Sequence, residues 1–509
     1  MEIMSARMVQ ILRFFPKPRV WRALCILLIA GGLAVLSISF PIYWFLAPFS
    51  IGLFFYVLWE TRSLTGAVLY SFIYGGITGG AGIWWFWDTL PLNWLGLASG
   101  PNGWYFVFAS WGPVTLAFAV ATLLFAVPIW LLRTSPYKIL AAALLWVLVE
   151  ETRMWSFSLL TFAERSFYGP HFSAPSLGYA LAENHYLLQI AQGGGIYFLN
   201  FAVALAGAFL ASVLWWLAHE KHTRYAPEPV SALVLVILLL LPLTQRPATP
   251  LGESFDAVLV STYLPVGWAD IPTTEYQRLM TRVVQSFPTA SFIVLPEEKR
   301  IEPTFSSLKE KQDFLYTLFG TRKVFIVSGI HEPGVDRGYD ATLTYETSSG
   351  EVLGSYTKRF LMPGGEYMPT LMSLSFSLRP DGGLGRFVNS LPEKIRPRGP
   401  LPAADFKGHR IGGLICSDFL SPHLYRELAV AQHANVLVNI ANPAWFHGSR
   451  ILFDKTVAIA KVHAVQNRAY YLQSTNGAPA FAINPKGELI GMTDWDIESI
   501  IQIHVEGAK

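Results

Sequence analysis

"IGGLICSDFL", residues 411–420, places one of only two cysteines at the end of an apolar run, behind two glycines and just ahead of an acid. Gly412 and Gly413 permit close packing of a buried strand, and the Ser-Asp step breaks the apolar pattern, so Cys416 falls at a strand-to-turn junction. Free cysteine is among the most buried residue types, so the stretch alone admits a packed core thiol or a nucleophile. The choice depends on what other strand ends bring to it.

Composition sets the surroundings. The chain has 509 residues, 52% of them hydrophobic and 14% charged, with a formal net charge of +3. That balance points to a membrane protein. The basic residues form no long run, which sets nucleic acid aside. The other cysteine, Cys25, lies in an apolar stretch, so a disulfide framework is not expected.

Hydropathy divides the chain near residue 245. Apolar runs at 23–40, 42–59, 64–87, 104–132, 137–152, 195–217 and 230–243 approach the length that crosses a bilayer, giving seven candidate spans. With the amino terminus inside, the inner loops carry Arg7, Arg13, Lys17, Arg19, Arg22, Arg62, Arg133, Lys138, Lys221 and Arg224; the outer loops carry Arg153 and Arg165. This asymmetry obeys the positive-inside rule, and seven crossings deliver everything after residue 243 to the outer side. Trp84, Trp85, Trp87, Trp94 and Trp104 fall at outer loops, as an aromatic belt or as part of a lipid-facing entrance.

After the linker 244–254, with its "LTQRPATPLGES", the pattern becomes α/β. "FDAVLVSTYL", "SFIVLPEE", "KVFIVSGI", "YDATLTYET", "HRIGGLICSD", "NVLVNIAN" and "APAFAINPKGEL" read as strands, and 273–287, 304–319, 421–433 and 453–469 as amphipathic helices. The domains are therefore a membrane part over 1–243 and a helix-covered sheet over 255–509.

Three strand exits of that second domain carry chemistry. "IVLPEE" runs a strand into Glu297 and Glu298; "SYTKRFLMPGGEYMP" holds Lys358 and, after a Pro-Gly-Gly turn, Glu366; the third exit holds Cys416 and Asp418. Strand ends are where α/β folds place their sites. A carboxylate can deprotonate a thiol, and a lysine with a backbone N–H can neutralise an oxyanion. A Cys-His arrangement has His409, His423, His433, His447 and His463 as candidates, none in a motif. The HExxH, CxxC and EF-hand spacings do not occur, so no metal or cofactor is expected.

These residues resemble the carbon–nitrogen hydrolase (nitrilase) superfamily, whose Glu-Lys-Cys triad sits on an α-β-β-α sandwich. "VLPE", "YTKRFLMPGGEYMP" and "GGLICSD" resemble its three blocks, and "AVQNRAYYLQSTNG" the passage from its last core helix into a strand. Within it, the preceding spans, "GIWWFWDTLP", "LLQIAQGGGIYFLNF" and "NPAWFHGS" resemble the apolipoprotein N-acyltransferase family over nearly the whole chain. The fold implied is a multi-pass α-helical membrane domain followed by that α/β sandwich.

What the resemblance implies is an acyltransferase of the bacterial inner membrane with its catalytic domain on the periplasmic side. Cys416 is then the nucleophile, Glu297 the base and Lys358 the oxyanion partner, with Glu366, Asp418, Asn442 and Trp445 in support. A phospholipid gives an acyl chain to Cys416 as a thioester, and the N-terminal diacylglyceryl-cysteine of an apolipoprotein accepts it. A membrane-tethered amidase for a small amide and a non-catalytic scaffold are the other readings. The sequence departs from the family at Ser417 and Asp418, where an aromatic and a glutamate are usual, at Gln466 for glutamate and at Pro443 for aspartate. It closes on "ESIIQIHVEGAK" where the family carries another transmembrane helix. Residues 371–400, rich in Ser, Pro, Gly and Arg, form either a lid or a passive loop.

Overall fold

The computed structural model describes residues 18–93, 100–164, 166–219, 228–244, 251–265, 273–297, 305, 307–333, 339–378 and 401–508. Glu298, Trp94, Arg165, Arg7, Arg13, Lys17, Lys221, Arg224 and positions 245–250 and 379–400 lie outside the described residues.

Each of the seven apolar runs falls on a helix: α1 (Pro18–Ser39), α2 (Leu46–Glu60), α3 (Leu64–Gly82), α4 (Pro101–Leu131), α5 (Lys138–Leu160), α6 (Ala191–Ala218) and α7 (Pro229–Leu240). Val20–Ser39, Pro101–Thr134 and Ala191–Ala218 are long and apolar enough to cross a membrane, and Leu46–Glu60 and Pro229–Thr244 are shorter apolar helices. Leu28, Leu124 and Leu159 stand 63%, 58% and 62% exposed on the outside of the bundle, a surface suited to lipid and not to water. Glycines let helices meet: a Cβ on Gly75 would stand 2.6 Å from Thr122 Oγ1 of α4.

One reading is corrected here. Arg153, counted from the sequence as an outer-loop residue, lies inside α5, which continues to Leu160. It is buried and donates to Thr78 Oγ1 (2.8 Å) and Thr122 Oγ1 (2.9 Å), with Glu150 3.5 Å away. Two hydroxyls and a carboxylate in place of water let the helix absorb a charge that hydropathy assigns to a loop.

The rest of the chain forms strands β1 (Phe255–Thr262), β2 (Phe292–Val294), β3 (Phe325–Pro333), β4 (Tyr339–Thr347), β5 (Val352–Thr357), β6 (Ala404–Phe406), β7 (His409–Ile415), β8 (Val436–Ala441), β9 (Tyr470–Asn476), β10 (Phe481–Ile483), β11 (Leu489–Met492) and β12 (Ser499–Val505). Helices α8 (Thr273–Ser286), α9 (Leu308–Phe319), α10 (Thr370–Ser377), α11 (Leu424–Ala431) and α12 (Arg450–Asn467) accompany them. Strand order is β5-β4-β3-β2-β1-β9-β8-β7-β6, with β12 on β1 and the β10–β11 pair beyond β9. β5, β6 and β12, short or only partly buried, are strands that alternation did not mark.

Among the described residues, the two halves of the sheet pair through Ser261 with Thr475 and Thr262 with Asn476, and fold face to face. Alternation along β1 records the result. Val258 and Val260 pack under α8 and α9 with Met280, Val283 and Leu315, whereas Ala257 and Leu259 join the core that contains Leu414, Val436 and Leu472. Across the inner layer, Tyr345 Oη of β4 accepts the Gly413 N–H of β7 at 2.6 Å. This is an α-β-β-α sandwich.

Helix α12 docks the sandwich on the bundle. Ser449, its N-cap, donates to Asp88; Lys455 Nζ donates to Ala174 O (2.9 Å); Lys461 pairs with Glu183 (3.0 Å). Near its end, Gln466 fills the space that a Cβ on Gly195 of α6 would need. One hydrophobic core runs without a break from Phe54 and Trp146 in the bundle to Val438 and Ile459 in the sandwich.

Candidate active site

The parallel strands β1, β2, β7, β8 and β9 all end on one edge of the sandwich, and their exits deliver the polar groups. Two residues past β2's extended Leu295, whose N–H donates to Val327 O, stands Glu297, 6% exposed. One residue past β5 stands Lys358, 1% exposed, its backbone N–H held by Ala341 O (2.9 Å). Lys358 Nζ donates to Glu297 Oε1 (3.2 Å) and to Glu366 Oε1 (2.9 Å). Glu366 is fixed in turn, its Oε2 accepting the Met362 N–H at 2.7 Å across the Pro-Gly-Gly turn.

Cys416 begins the turn Cys416–Leu420 directly after β7, with φ +44 in the left-handed region. A non-glycine residue held there is strained, and such strain concentrates where a side chain must be presented at a fixed angle. Space behind it requires both glycines. A Cβ on Gly412 would meet Ala434 Cβ at 2.9 Å on the helix side, and one on Gly413 would meet Leu343 Cδ1 at 2.8 Å on the sheet side.

Charge is distributed unevenly over this group. Burial opposes the charge on Lys358, but Cys416, Glu297, Glu366 and Asp418 outweigh it and hold the ammonium well above its usual range. Burial pushes the Cys416 thiol up to about 12, with Glu297 adding to the rise and Lys358 opposing it; the Asn442 backbone N–H points at the sulfur and also favours the thiolate. The resting thiol is thus protonated, and a base must take its proton for it to react.

Asp418 is fully buried and acts as a knot. Its Oδ1 accepts from Phe360 N (2.7 Å) and Arg359 N (3.3 Å), and its Oδ2 from Tyr356 Oη (2.8 Å) and Ile415 N (3.2 Å). Burial lifts its carboxyl to about 6 against the pull of Lys358 and these donors. Ser417 Oγ donates to Phe360 O from the same turn (2.5 Å). The aspartate therefore collects partners from both the lysine loop and its own turn.

Asn442, after β8, is buried, and its Oδ1 accepts from Asn476 Nδ2 (2.9 Å); Asn476 accepts from Thr262 Oγ1 (3.0 Å) and Leu264 N (2.8 Å). Three strand exits are thereby locked together. Trp445 lies half-buried on the turn Pro443–Phe446, whose Phe446 faces the cavity. That cavity holds about 40 Å³ of free space beside Cys416 and is lined mainly by apolar groups, including Trp85 of the bundle, which meets Phe446 edge to face at 5.0 Å. Of the candidate histidines, His409 pairs with Glu253 O, His423 with Tyr197 Oη and His447 with Pro91 O, while His463 pairs with Phe419 O of the Cys416 turn.

Tyr356 is the residue that motif reading passed over. It sits two positions before Lys358 on the same strand face, in contact with Asp418, and that two-residue spacing was its signal in the sequence. Trp85 was recognised only as an aromatic of an outer loop, because nothing local to it records the distant Phe446. Among the described residues, no group of three or more His, Cys, Asp or Glu could hold a metal ion.

Comparison with known proteins bears on both halves. Residues 30–209 match the family model of the apolipoprotein N-acyltransferase N-terminal domain, and residues 287–508 match that of carbon–nitrogen hydrolases. An apolipoprotein N-acyltransferase of Geobacter metallireducens is 27% identical over 359 residues, covering 66% of this chain and 64% of that protein, so the chain spans just under two thirds of that relative. Those of Azotobacter vinelandii (28%; 79% of this chain, 81% of that one) and Pseudomonas paraeruginosa (27%; 94% and 89%) align over more. Among solved structures, a branch 10 nitrilase-superfamily member from Saccharomyces cerevisiae is 17% identical, covering 51% of this chain and 93% of that one, with a TM-score of 0.38.

Proposed function

We propose, on the premise that the chain belongs to the apolipoprotein N-acyltransferase family, that it moves an acyl chain from a phospholipid to the N-terminal diacylglyceryl-cysteine of an apolipoprotein. The observation that carries this reading is the ammonium of Lys358 held between Glu297 and Glu366 beside a thiol on a strained turn, opening on an apolar cavity that bundle and sandwich share.

In this reading Glu297 takes the thiol proton and Cys416 Sγ attacks the ester carbonyl of the lipid. Lys358 and the Asn442 N–H neutralise the oxyanion, the ester C–O bond breaks, and the lysophospholipid leaves with the proton from Glu297. The acceptor's α-amine then attacks the thioester, the C–S bond breaks, and Cys416 recovers its proton through Glu297 as the amide forms. Water would hydrolyse the thioester, and an apolar cavity at the membrane face slows that loss. Leu371, Leu374 and Leu378, 54%, 53% and 75% exposed along α10 and just past it, give the lysine loop an apolar skirt consistent with lipid access.

The same reading takes 1–243 as the membrane domain with seven crossings, 244–254 as linker and 255–509 as the catalytic domain on the periplasmic side of the inner membrane. Incubation with phospholipid and intact-mass analysis should reveal an acyl adduct on Cys416 that a lipoprotein N-terminus discharges. An amidase would form no lipid adduct, and unaltered N-acylation by Cys416→Ser would rule out Cys416 as the nucleophile.

A further inference from the structure

The β10–β11 hairpin lies far along the sandwich from Cys416, at the end of α12, and nothing in the proposed reaction uses it. Among the described residues, β11 is an edge strand whose one pairing is with β10. It nevertheless presents Leu489, Ile490 and Met492 at 43%, 39% and 41% exposure, a row that invites aggregation in water.

Its place is fixed by the bundle. The tip residue Gly487, at φ +82, sits so close to Leu188 Cδ2 that a Cβ there would stand 2.4 Å away. Gln189 Nε2 donates to Lys486 O (2.9 Å), and His185 lies 3.7 Å from Glu488. These contacts come from the short segment just ahead of Ala191–Ala218, one of the helices able to cross a membrane. Tyr186, 40% exposed, donates from the same segment to Leu239 O of α7, where Leu239, Leu240 and Leu243 are 43%, 51% and 70% exposed. The segment 185–189 thus bridges the exposed leucines at the end of α7 and the exposed apolar residues of the hairpin. The cleft beside it is lined by two exposed cations, Lys486 and Arg468, together with two exposed acids, Glu488 and Glu506.

We infer that this hairpin is a membrane-contact element, resting on the phospholipid surface beside α6 and α7. Leu489 and Ile490 enter the interfacial layer, and Lys486 and Arg468 stand at the level of the lipid phosphates. Continuity with the spanning helices identifies lipid as the occupant, since the tip is tied to a segment that ends where a span begins.

The test uses the full chain in phosphatidylcholine vesicles, with Cys25→Ser and Cys416→Ser, and an environment-sensitive fluorophore on Ile490→Cys. Tyr316→Cys, on the helix layer remote from α12 and 65% exposed, is the reference. Lipids with a nitroxide near the headgroup should quench the label at 490 at least about twofold more than the label at 316. Equal quenching overturns the inference, as does protection at 490 that scales with protein density in the vesicle, which would mean a second copy of the chain. Met492→Cys provides the same readout should Ile490→Cys fold poorly. Since this chain lacks its thiol, the result is independent of whether acyl transfer occurs.

Discussion

Asp418 Oδ1 accepts the backbone N–H of Phe360 at 2.7 Å, so the turn that carries Cys416 and the loop that carries Lys358 share one carboxylate. The Cys416 thiol and the Lys358 ammonium are registered to each other through this buried carboxylate.

Asp418→Asn keeps the shape but sets an amide N–H against donors on one side of the knot. Hydrogen bonds to a charged group are worth about 1.5–3 kcal/mol each, so N-acylation should fall by about tenfold or more and the melting temperature in detergent should drop. Wild-type rate and stability together would mean that the two loops are positioned by something else.

Cys416 reactivity should follow its raised pKa. In a Cys25→Ser chain, iodoacetamide alkylation should climb about tenfold per pH unit from 7 to 9 without a plateau, because the thiolate is the nucleophile and is scarce throughout that range. Glu297→Gln should speed alkylation at pH 7, because the charge that adds to the rise of the thiol is gone, while N-acylation falls with the loss of the base. A plateau near neutrality would mean a thiolate already formed at rest.

Asp418 gives a second pH signature, with opposite signs for stability and for activity. Its carboxyl is lifted from 3.8 to about 6 on folding, so the folded chain binds that proton more tightly than the unfolded one. The resulting stability is fully present below 3.8 and is lost as pH rises through about 6. Activity should run the other way, falling as pH drops through about 6, because the protonated acid no longer accepts from all of Tyr356, Arg359, Phe360 and Ile415. Parallel melting and activity profiles between pH 4 and 7.5 in Asp418→Asn and wild type check both signs.

Gly413→Ala should cost about 1–3 kcal/mol and reduce alkylation of Cys416, since the new methyl meets Leu343 and Tyr345 across the inner layer and moves β7. Pairing it with Leu343→Ala should recover part of the loss; failure to recover any would place the strain elsewhere.

The exits of β2 and β7 were legible because a long apolar run stops abruptly at Glu297 and Cys416, and the lysine block because its turn chemistry is local. β12 was not, since its side chains are mostly half-exposed and it is held by pairing with β1, more than two hundred residues upstream. Arg153 shows the converse: a charge that ends a hydropathy window stays inside the helix when Thr78 and Thr122 arrive from other helices. What escaped in each case is a contact between distant parts of the chain, which no local period encodes.

Helix α12 spans about 27 Å and meets the bundle at Asp88, Ala174 and Glu183 in succession. It works as an indexing rail: its length sets the reach of the sandwich over the bundle and its phase sets the roll. One residue inserted between Lys455 and Lys461 would turn everything beyond it by about 100°, swinging β9 and the Asn476–Asn442 lock away from the Cys416 turn while every residue of the site remained in place in the sequence. The number of residues in that helix, as well as their identity, is therefore a constraint on the site.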